Sequence, residues 1–162
     1  MLARLARYED LKSVQRLYKE LRPDDPELSA EEAARRWKGM LDQPMVKLIV
    51  AEQGDRVAST CMLALIPNFA SGGRPIGFIE HVVTLSEFRG RGFAGVVLRH
   101  ALNLAWSEDC CKVVLLSGAQ RVEAHRLYQS LGFRGDIERG FVVKAEWSGN
   151  SLNGDVTKAT RR

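Results

Sequence analysis

Apolar residues along the chain follow two different spacings, which predict alternating strands and helices. Short runs of apolar or β-branched residues, continuous or alternating with polar ones, are typical of strands. On this basis we predict strands over 2–6, 46–52, 56–66, 78–85, 112–116, 133–137 and 141–147. The second and third of these should form an antiparallel pair joined at Gln53-Gly54-Asp55. Residues 78–85 are apolar or β-branched except for Glu80 and His81, which predicts a central strand buried on both faces.

Apolar residues three or four positions apart predict four helices between these strands. The first should be capped by Asp10 and run to Leu21, and the second should open with a capping box of Ser29 and Glu32 and run to about Leu41. The third begins near Ala94 and continues for about four turns. The fourth covers 121–131 and stops at Gly132.

This order of elements predicts an α+β domain, with a mixed, mostly antiparallel sheet flanked by helices. We assign residues 1–147 to that single domain. Residues 148–162 are polar and contain glycine and asparagine, so we expect a disordered tail. The 67–75 loop is longer than a hairpin needs and contains the flexible pair Gly72-Gly73.

Composition and charge narrow the choice of partners. The net charge is +4, but part of it lies in the last residues, and 88–107 holds Arg89, Arg91 and Arg99 without an acid. Such a local positive field suits a small polyanion, whereas the basic stripe with aromatics that nucleic-acid binders use is absent. Apolar runs are short, so we expect no membrane span and no signal peptide. The three cysteines form no disulfide or zinc pattern, which favours the cytoplasm.

A glycine-rich turn between the central strand and the third helix is the strongest candidate site. Strand, glycine turn and helix together aim backbone N–H groups and a helix dipole at a phosphate. The turn lacks the lysine of a mononucleotide P-loop. Gly90, Gly92 and Gly95 match the dinucleotide pattern, but the acidic residues Glu108 and Asp109 precede the next strand instead of ending it. Packing of the helix against the sheet is the alternative use of these glycines.

The same turn, read as Arg89-Gly90-Arg91-Gly92-Phe93-Ala94, resembles the R-x-x-G-x-[GA] motif of the GNAT superfamily of N-acetyltransferases. The predicted order of elements over residues 2–147 is also that of the GNAT fold. The resemblance implies acetyl-CoA as the acetyl donor and no metal. It further implies that the turn wraps the pyrophosphate and that strand N–H groups hold the acetyl carbonyl. The implied cofactor-binding residues are Val82, Val83, Thr84, Arg89, Gly90, Arg91, Gly92, Phe93, Ala94 and Gly95.

A second matching block ends in Tyr128. Ala124 lies four residues before this tyrosine and the helix ends at Gly132-Phe133, a frequent pattern in the family. The resemblance places the tyrosine near the cofactor sulfur, where a phenol can protonate the thiolate that leaves. The alternative is a core aromatic whose hydroxyl is tied to the backbone.

Glu80 is the candidate general base. A carboxylate inside an apolar strand loses hydration unless a cleft reaches it, and there it could take the proton of an amine directly or through water. The glucosamine-6-phosphate N-acetyltransferase branch of the family has a glutamate at this place followed by aspartate, where this chain has His81. A structural salt bridge is the other use of Glu80. Strand alternation places His81 on the face opposite Glu80, so we expect only one of the two to be catalytic.

Together these features predict an N-acetyltransferase that moves an acetyl group from acetyl-CoA to a small primary amine in a ternary complex. Glucosamine-6-phosphate N-acetyltransferase is the alternative enzyme, and a non-catalytic acyl-CoA-binding module is the alternative class. Arg74 and His81 are the candidate substrate residues, with Arg74 closing a loop that folds over the substrate. We also expect a possible homodimer through the edge of the last strands.

Overall fold

The computed structural model describes residues 1–145 of the chain. Its strands are β1 (Leu2–Leu5), β2 (Val46–Gln53), β3 (Arg56–Ile66), β4 (Ile76–Thr84) and β5 (Lys112–Leu115). Its α-helices are α1 (Leu11–Leu21), α2 (Ala30–Leu41), α3 (Phe93–Ser107) and α4 (Val122–Ser130). These bounds agree with the predicted elements to within one or two residues as far as residue 131.

The five strands form one sheet in the order β1-β2-β3-β4-β5. The first three pairs of neighbours are antiparallel, whereas β4 and β5 are parallel and α3 lies between them in the chain. The carboxyl ends of β4 and β5 therefore point the same way, and the predicted α+β class with a mixed sheet is confirmed.

The core lies between the sheet and the helices that pack on it. Leu17 of α1, Ile49 of β2, Leu63 of β3 and Val97 of α3 are all fully buried. Their spacing explains the local structure, because the apolar positions of α1 and α3 recur every three or four residues. β2 and β3 are instead buried over several consecutive residues, as is typical of strands covered on both faces. In the part of the chain that the structure describes, no helix is both long and apolar enough to cross a bilayer.

Asp10 does not cap α1 in the way its position predicts. A single 3-10 turn, Tyr8–Asp10, precedes the helix, and the carboxylate reaches back to accept the N–H of Arg7 at 2.7 Å. The same carboxylate also pairs with the guanidinium of Arg4, at 2.7 Å. Asp10 therefore caps the preceding turn and fastens β1 to it, since an ion pair with Arg4 competes with the helix N–H groups for its oxygens.

The two last predicted strands are wrong within the described residues. Residues 133–145 form no strand, and the end of the second prediction, 146–147, lies outside the described range, as does the predicted tail. Gly135 interrupts the first, where Arg134 and Asp136 pair at 2.7 Å across a bend. The second has the apolar alternation of a strand, but Phe141 and Val143 are 88% and 97% exposed. A strand needs a hydrogen-bonded neighbour, which an apolar pattern alone cannot guarantee.

Candidate active site

A cleft opens where β4 and β5 part. The two strands pair from Ile76 and Lys112 to Ile79 and Leu115, and no pairing follows. Beyond that point a cleft of about 240 Å³ is lined by the next residues of β4, by the end of β5 and by Tyr128 of α4. Glu80 lies in this wall, so the carboxylate that the sequence places inside a strand faces an open space and not the core.

A β-bulge shapes this wall of the cleft. Thr60 of β3 pairs with Val83 and Met62 pairs with Glu80, so both His81 and Val82 lie opposite Cys61. His81 has a φ of 54°, the left-handed region that only a few per cent of residues other than glycine adopt. The bulge interrupts the alternation of side chains, because an extra residue is inserted in one strand.

The predicted placement of Glu80 and His81 on opposite faces stays a prediction, because Glu80 is paired with Met62 whereas His81 lies opposite Cys61, the next residue of β3. Glu80, His81 and Val82 all line the same cleft. A bulge also leaves backbone groups outside the regular ladder. The site thus combines a carboxylate, an imidazole and interrupted strand backbone within three consecutive residues.

Tyr128 completes the cleft from the side of α4. Its side chain is buried, and its ring packs edge-on against Phe133 with centroids 6.1 Å apart. Burial raises the pKa of the Tyr128 hydroxyl, the positive charge of Arg121 lowers it, and the nearby Cys61 and Glu80 raise it again; the net direction is upward. The phenol therefore stays protonated at neutral pH and can act as a hydrogen-bond donor and an acid.

Tyr18 of α1 contacts His81 in the wall of the cleft, although the sequence predicts it only as one of the apolar residues on the buried face of α1. Its ring lies 5.2 Å from that of His81, at an angle of 48°. The hydroxyl of Tyr18 and the Nδ1 of His81 are both buried, and neither has a hydrogen-bond partner within residues 1–145. Buried polar groups are normally paired, so these two atoms mark a place where water or a substrate group fits.

The glycine turn has the geometry that phosphate binding requires. Gly90 and Gly92 have φ values of 72° and 86°, and a Cβ at either would meet nothing within 4 Å. Among the described residues, no acceptor takes the N–H groups of Gly90, Arg91 or Gly92. Because the first N–H groups of α3 also lack intrahelical partners, the turn and the start of α3 supply a row of N–H donors without an acceptor in residues 1–145, at the positive end of a helix.

The arginines and aromatic residues of this turn have different uses. Arg89 donates to the carbonyl of Thr84 at 3.1 Å and to Glu20 at 3.0 Å, so it ties the turn to β4 and α1. The guanidinium of Arg91 lies 5.7 Å above the ring of Phe88 and has no ion pair within residues 1–145. Phe93 is buried in the core, so of this residue only the backbone can reach a ligand.

Arg74 and its loop are not part of the cleft. Arg74 donates to the carboxylate of Asp109 at 3.1 Å and to the carbonyl of Cys110 at 3.2 Å. It precedes β4, whose nine residues span about 26 Å at the usual rise per residue. The 67–75 loop therefore lies at the opposite end of the strand from the glycine turn, and the expected contact of Arg74 with a substrate beside Glu80 stays a prediction that these contacts do not support.

Two other arginines line the cleft in its place. Arg22 follows the last residue of α1, and Arg121 precedes the first residue of α4. Both contribute to the wall that also contains Glu80 and Tyr128. The sequence predicts 21–29, which contains Arg22, as a second substrate loop besides 67–75. Nothing in the sequence distinguishes either arginine from other solvated ones.

Sequence comparison identifies relatives of this chain. The model of the acetyltransferase (GNAT) family matches residues 13–133. Glucosamine 6-phosphate N-acetyltransferase of Trypanosoma brucei brucei is 30% identical over 90 residues, which make up 56% of this chain and 59% of that enzyme. N-acetylaspartate synthetase of Homo sapiens is 47% identical over 49 residues, which make up 30% of this chain and 16% of that protein. The match thus spans less than two thirds of either relative.

Solved structures share the whole architecture. An inferred acetyltransferase from Agrobacterium tumefaciens str. C58 is 38% identical, with a TM-score of 0.85 over 90% of this chain and 100% of that one. An acetyltransferase of Trypanosoma brucei is 28% identical, with a TM-score of 0.76 over 88% of this chain and 98% of that one. The fold predicted from the resemblance is confirmed by these matches.

Proposed function

This chain belongs to the GNAT family of acetyltransferases, and from that premise we propose that it transfers the acetyl group of acetyl-CoA to a primary amine of a small acceptor. One observation carries the proposal: Glu80 and Tyr128, a candidate base and a candidate acid, line one cleft. Amine and thioester would react by direct attack in a ternary complex, with the rate gained mainly by placement.

The fit of the cofactor rests on the glycine turn. Its N–H groups have no protein acceptor in the described residues, and the space above Gly90 and Gly92 is open. These donors, with the N–H groups of Phe93, Ala94 and Gly95 at the start of α3, would hold the pyrophosphate. Arg91 would add a positive charge that no carboxylate of residues 1–145 neutralises.

Glu80, Tyr128 and the bulged strand would divide the chemistry. Glu80 takes a proton from the acceptor's ammonium group, directly or through water, so that the amine has a free electron pair. Backbone N–H groups at Val82, Val83 and Thr84 stabilise the negative charge that develops on the acetyl oxygen. Tyr128, whose raised pKa keeps it protonated at neutral pH, would then give its proton to the departing thiolate or hold that thiolate by a hydrogen bond.

Paired conservative substitutions test these roles. Tyr128→Phe should lower kcat by about 100-fold, at the lower end for general acid catalysis, with little change in acetyl-CoA affinity. Glu80→Gln should lower kcat and flatten the acidic limb of the pH profile, since the base is removed. Tyr8→Phe is the matched control, because Tyr8 is exposed and bonds Asp42 away from the cleft. Wild-type turnover of Tyr128→Phe at every pH would make that residue structural.

Glucosamine-6-phosphate N-acetylation is the second candidate, favoured by the similarity to the trypanosomal enzyme of that name. His81 replaces the aspartate found in that branch, which weighs against the same sugar phosphate. A non-catalytic acyl-CoA-binding module needs neither Glu80 nor Tyr128. CoA binding without thiol release in the presence of any amine would favour that module over both enzymes.

We also propose a homodimer that forms through the open edge of the sheet. The outer side of β5 has no neighbouring strand among residues 1–145. Leu116, directly after β5, is exposed, and so are Phe141 and Val143 further along the chain. A sheet edge without a neighbouring strand favours pairing with another strand, and the same edge of a second copy supplies one. Light scattering of wild type and of a Phe141→Glu, Val143→Glu double variant tests this, with the variant expected to be monomeric.

We place the enzyme in the cytoplasm, as a single domain over residues 1–147 that acts without nucleic acid or membrane. Cys61, Cys110 and Cys111 are all free thiols, which suits a reducing compartment. Fractionation of cells that express the full chain tests the location. Recovery of the protein from an oxidising compartment with an oxidised Cys110 or Cys111 would contradict it.

A further inference from the structure

The polar groups in the wall of the cleft carry charges of opposite sign. Glu80 is the single carboxylate among the lining residues, and Arg22 and Arg121 supply two guanidinium groups. The arginines come from the end of α1 and the start of α4, so the fold brings them together from about a hundred positions apart in sequence. Two positive charges in one small cleft create a local field that favours an anion.

The fold itself makes little use of either arginine. Arg121 has no hydrogen bond or ion pair from its side chain within residues 1–145. The closest carboxylate to Arg22 is that of Asp25, at 3.8 Å, and both side chains are more than half exposed. Arg74 and Arg89, by contrast, donate to carboxylates and carbonyls at hydrogen-bonding distance. An exposed pair at 3.8 Å contributes almost nothing to stability, so Arg22 is also available to a ligand.

The phosphate groups of the cofactor already have their own donors elsewhere. The free N–H groups and Arg91 lie after Thr84, beyond the carboxyl end of β4. Arg22 and Arg121 lie instead beside Glu80, His81 and Tyr128, where the reaction would take place. The two sets of positive groups therefore serve different parts of the ternary complex.

We propose that the acceptor is an amine that also carries a carboxylate or phosphate group, and that Arg22 and Arg121 bind this acidic group while Glu80 receives the amine. The inference rests on the proposed acetyl transfer and specifies its substrate class. Guanidinium groups suit this role because they form paired, charge-assisted hydrogen bonds with planar carboxylates and with phosphates. A short molecule that carries both charges matches the positive and negative groups of the cleft.

The test uses pairs of amines that differ only in the acidic group. β-Alanine is compared with β-alaninamide, and phosphoethanolamine with ethanolamine, by thiol release from acetyl-CoA. The anionic member of at least one pair should have a kcat/KM about 10- to 100-fold higher, the value of one or two charged hydrogen bonds. The first pair reports a preference for carboxylates and the second a preference for phosphates.

Variants assign this preference to the two arginines. Arg22→Gln and Arg121→Gln should each raise KM for the anionic amine about 10-fold or more and leave KM for the neutral partner unchanged. Because the charge of Arg121 also lowers the pKa of Tyr128, any change in kcat for Arg121→Gln should be the same for both amines. Arg126→Gln is the matched control, since Arg126 is exposed on α4 and does not line the cleft. Calorimetry with CoA should give wild-type affinity for all three variants.

The outcomes separate this inference from the function on which it rests. Equal turnover of neutral and anionic amines would overturn the inference and leave acetyl transfer in place. Weaker CoA binding in Arg121→Gln or Arg22→Gln would assign that arginine to the cofactor and also overturn it. Turnover of no amine at all, with CoA still bound, would overturn the proposed function and this substrate class with it.

Discussion

Replacing Gly92 with alanine separates what the cofactor requires at this position from what the fold requires. Gly92 has a φ of 86°, and a methyl group there would meet nothing within 4 Å. The cost to the fold is therefore backbone strain alone, roughly 1–2 kcal/mol for a residue with a Cβ in the left-handed region. For a domain of this size that strain lowers Tm by about 3–8 °C.

Gly54 supplies a control with the same strain and no ligand. It has a φ of 60° in the turn between β2 and β3, and a Cβ there also meets nothing within 4 Å. Gly54→Ala and Gly92→Ala should therefore lose similar stability. Only Gly92→Ala should lose CoA affinity, by about 10-fold or more. The added methyl group should prevent a phosphate of CoA from accepting at least one hydrogen bond from the N–H groups of the turn.

Calorimetry with CoA and thermal denaturation on the same samples measure both quantities. The expected result is two variants of similar Tm, of which one binds CoA as tightly as wild type and the other does not. Wild-type CoA affinity in both variants would refute the assignment of the turn to the cofactor, because the methyl group at Gly92 would then cost the ligand nothing. Loss of affinity in both would show that strain reaches the site through the fold.

Three further predictions concern groups next to the site or in the core. Tyr18→Phe removes a buried hydroxyl that has no partner in the described residues, so Tm should rise by a few degrees, and a fall would indicate a bound water. Asp10→Asn should destabilise the fold by about 2 kcal/mol at pH 7, since Arg4 loses one of its two carboxylate partners and keeps Glu52. Burial raises the pKa of the Cys61 thiol to about 12, so iodoacetamide at pH 8 should label Cys111 first in native protein.

The Asp10 prediction includes a pH dependence that denaturation at several pH values can measure. Burial acts to raise the pKa of Asp10, but the hydrogen bonds from Arg4 and from the backbone of Arg7 lower it further, and the net direction is downward. A carboxyl with a lowered pKa in the folded state stabilises the fold above its unfolded pKa of about 4 and loses that contribution as pH falls below it. The difference between wild type and Asp10→Asn should therefore shrink in acid. A constant difference would contradict the ion pair.

Elements with strong local signals could be predicted from the sequence. The capping serine Ser29 accepts the N–H of Glu32 at 3.2 Å, and Gly132 ends α4 with a φ of 90°. Likewise the glycine turn could be identified because Gly90 and Gly92 adopt backbone angles that few other residues adopt. Each of these features depends only on residues close to it in the chain, so the local sequence is sufficient to predict it.

Features that depend on distant residues could not be predicted in the same way. Between the pairs Thr60–Val83 and Met62–Glu80, β4 has one residue more than β3, and this extra residue produces the bulge at His81. The alternation of side chains along a strand, which is what the sequence pattern uses, does not reveal such an insertion. The length of the 67–75 loop predicts that Arg74 reaches the substrate, but the direction of β4, which the sequence alone does not give, places this loop at the end of β4 away from the glycine turn. Arg22 and Arg121 meet only through the packing of α1 and α4 around the cleft.

Mass spectrometry of one quenched reaction tests the central claim, direct acetyl transfer from acetyl-CoA to a small amine, most directly. The full chain is mixed with equimolar acetyl-CoA, with and without a panel of small primary amines that includes anionic ones. The account predicts free CoA and one acetylated amine when amines are present, and unmodified protein with intact acetyl-CoA when they are absent. An acetylated protein formed without amine, or intact acetyl-CoA in the presence of every amine, would contradict it.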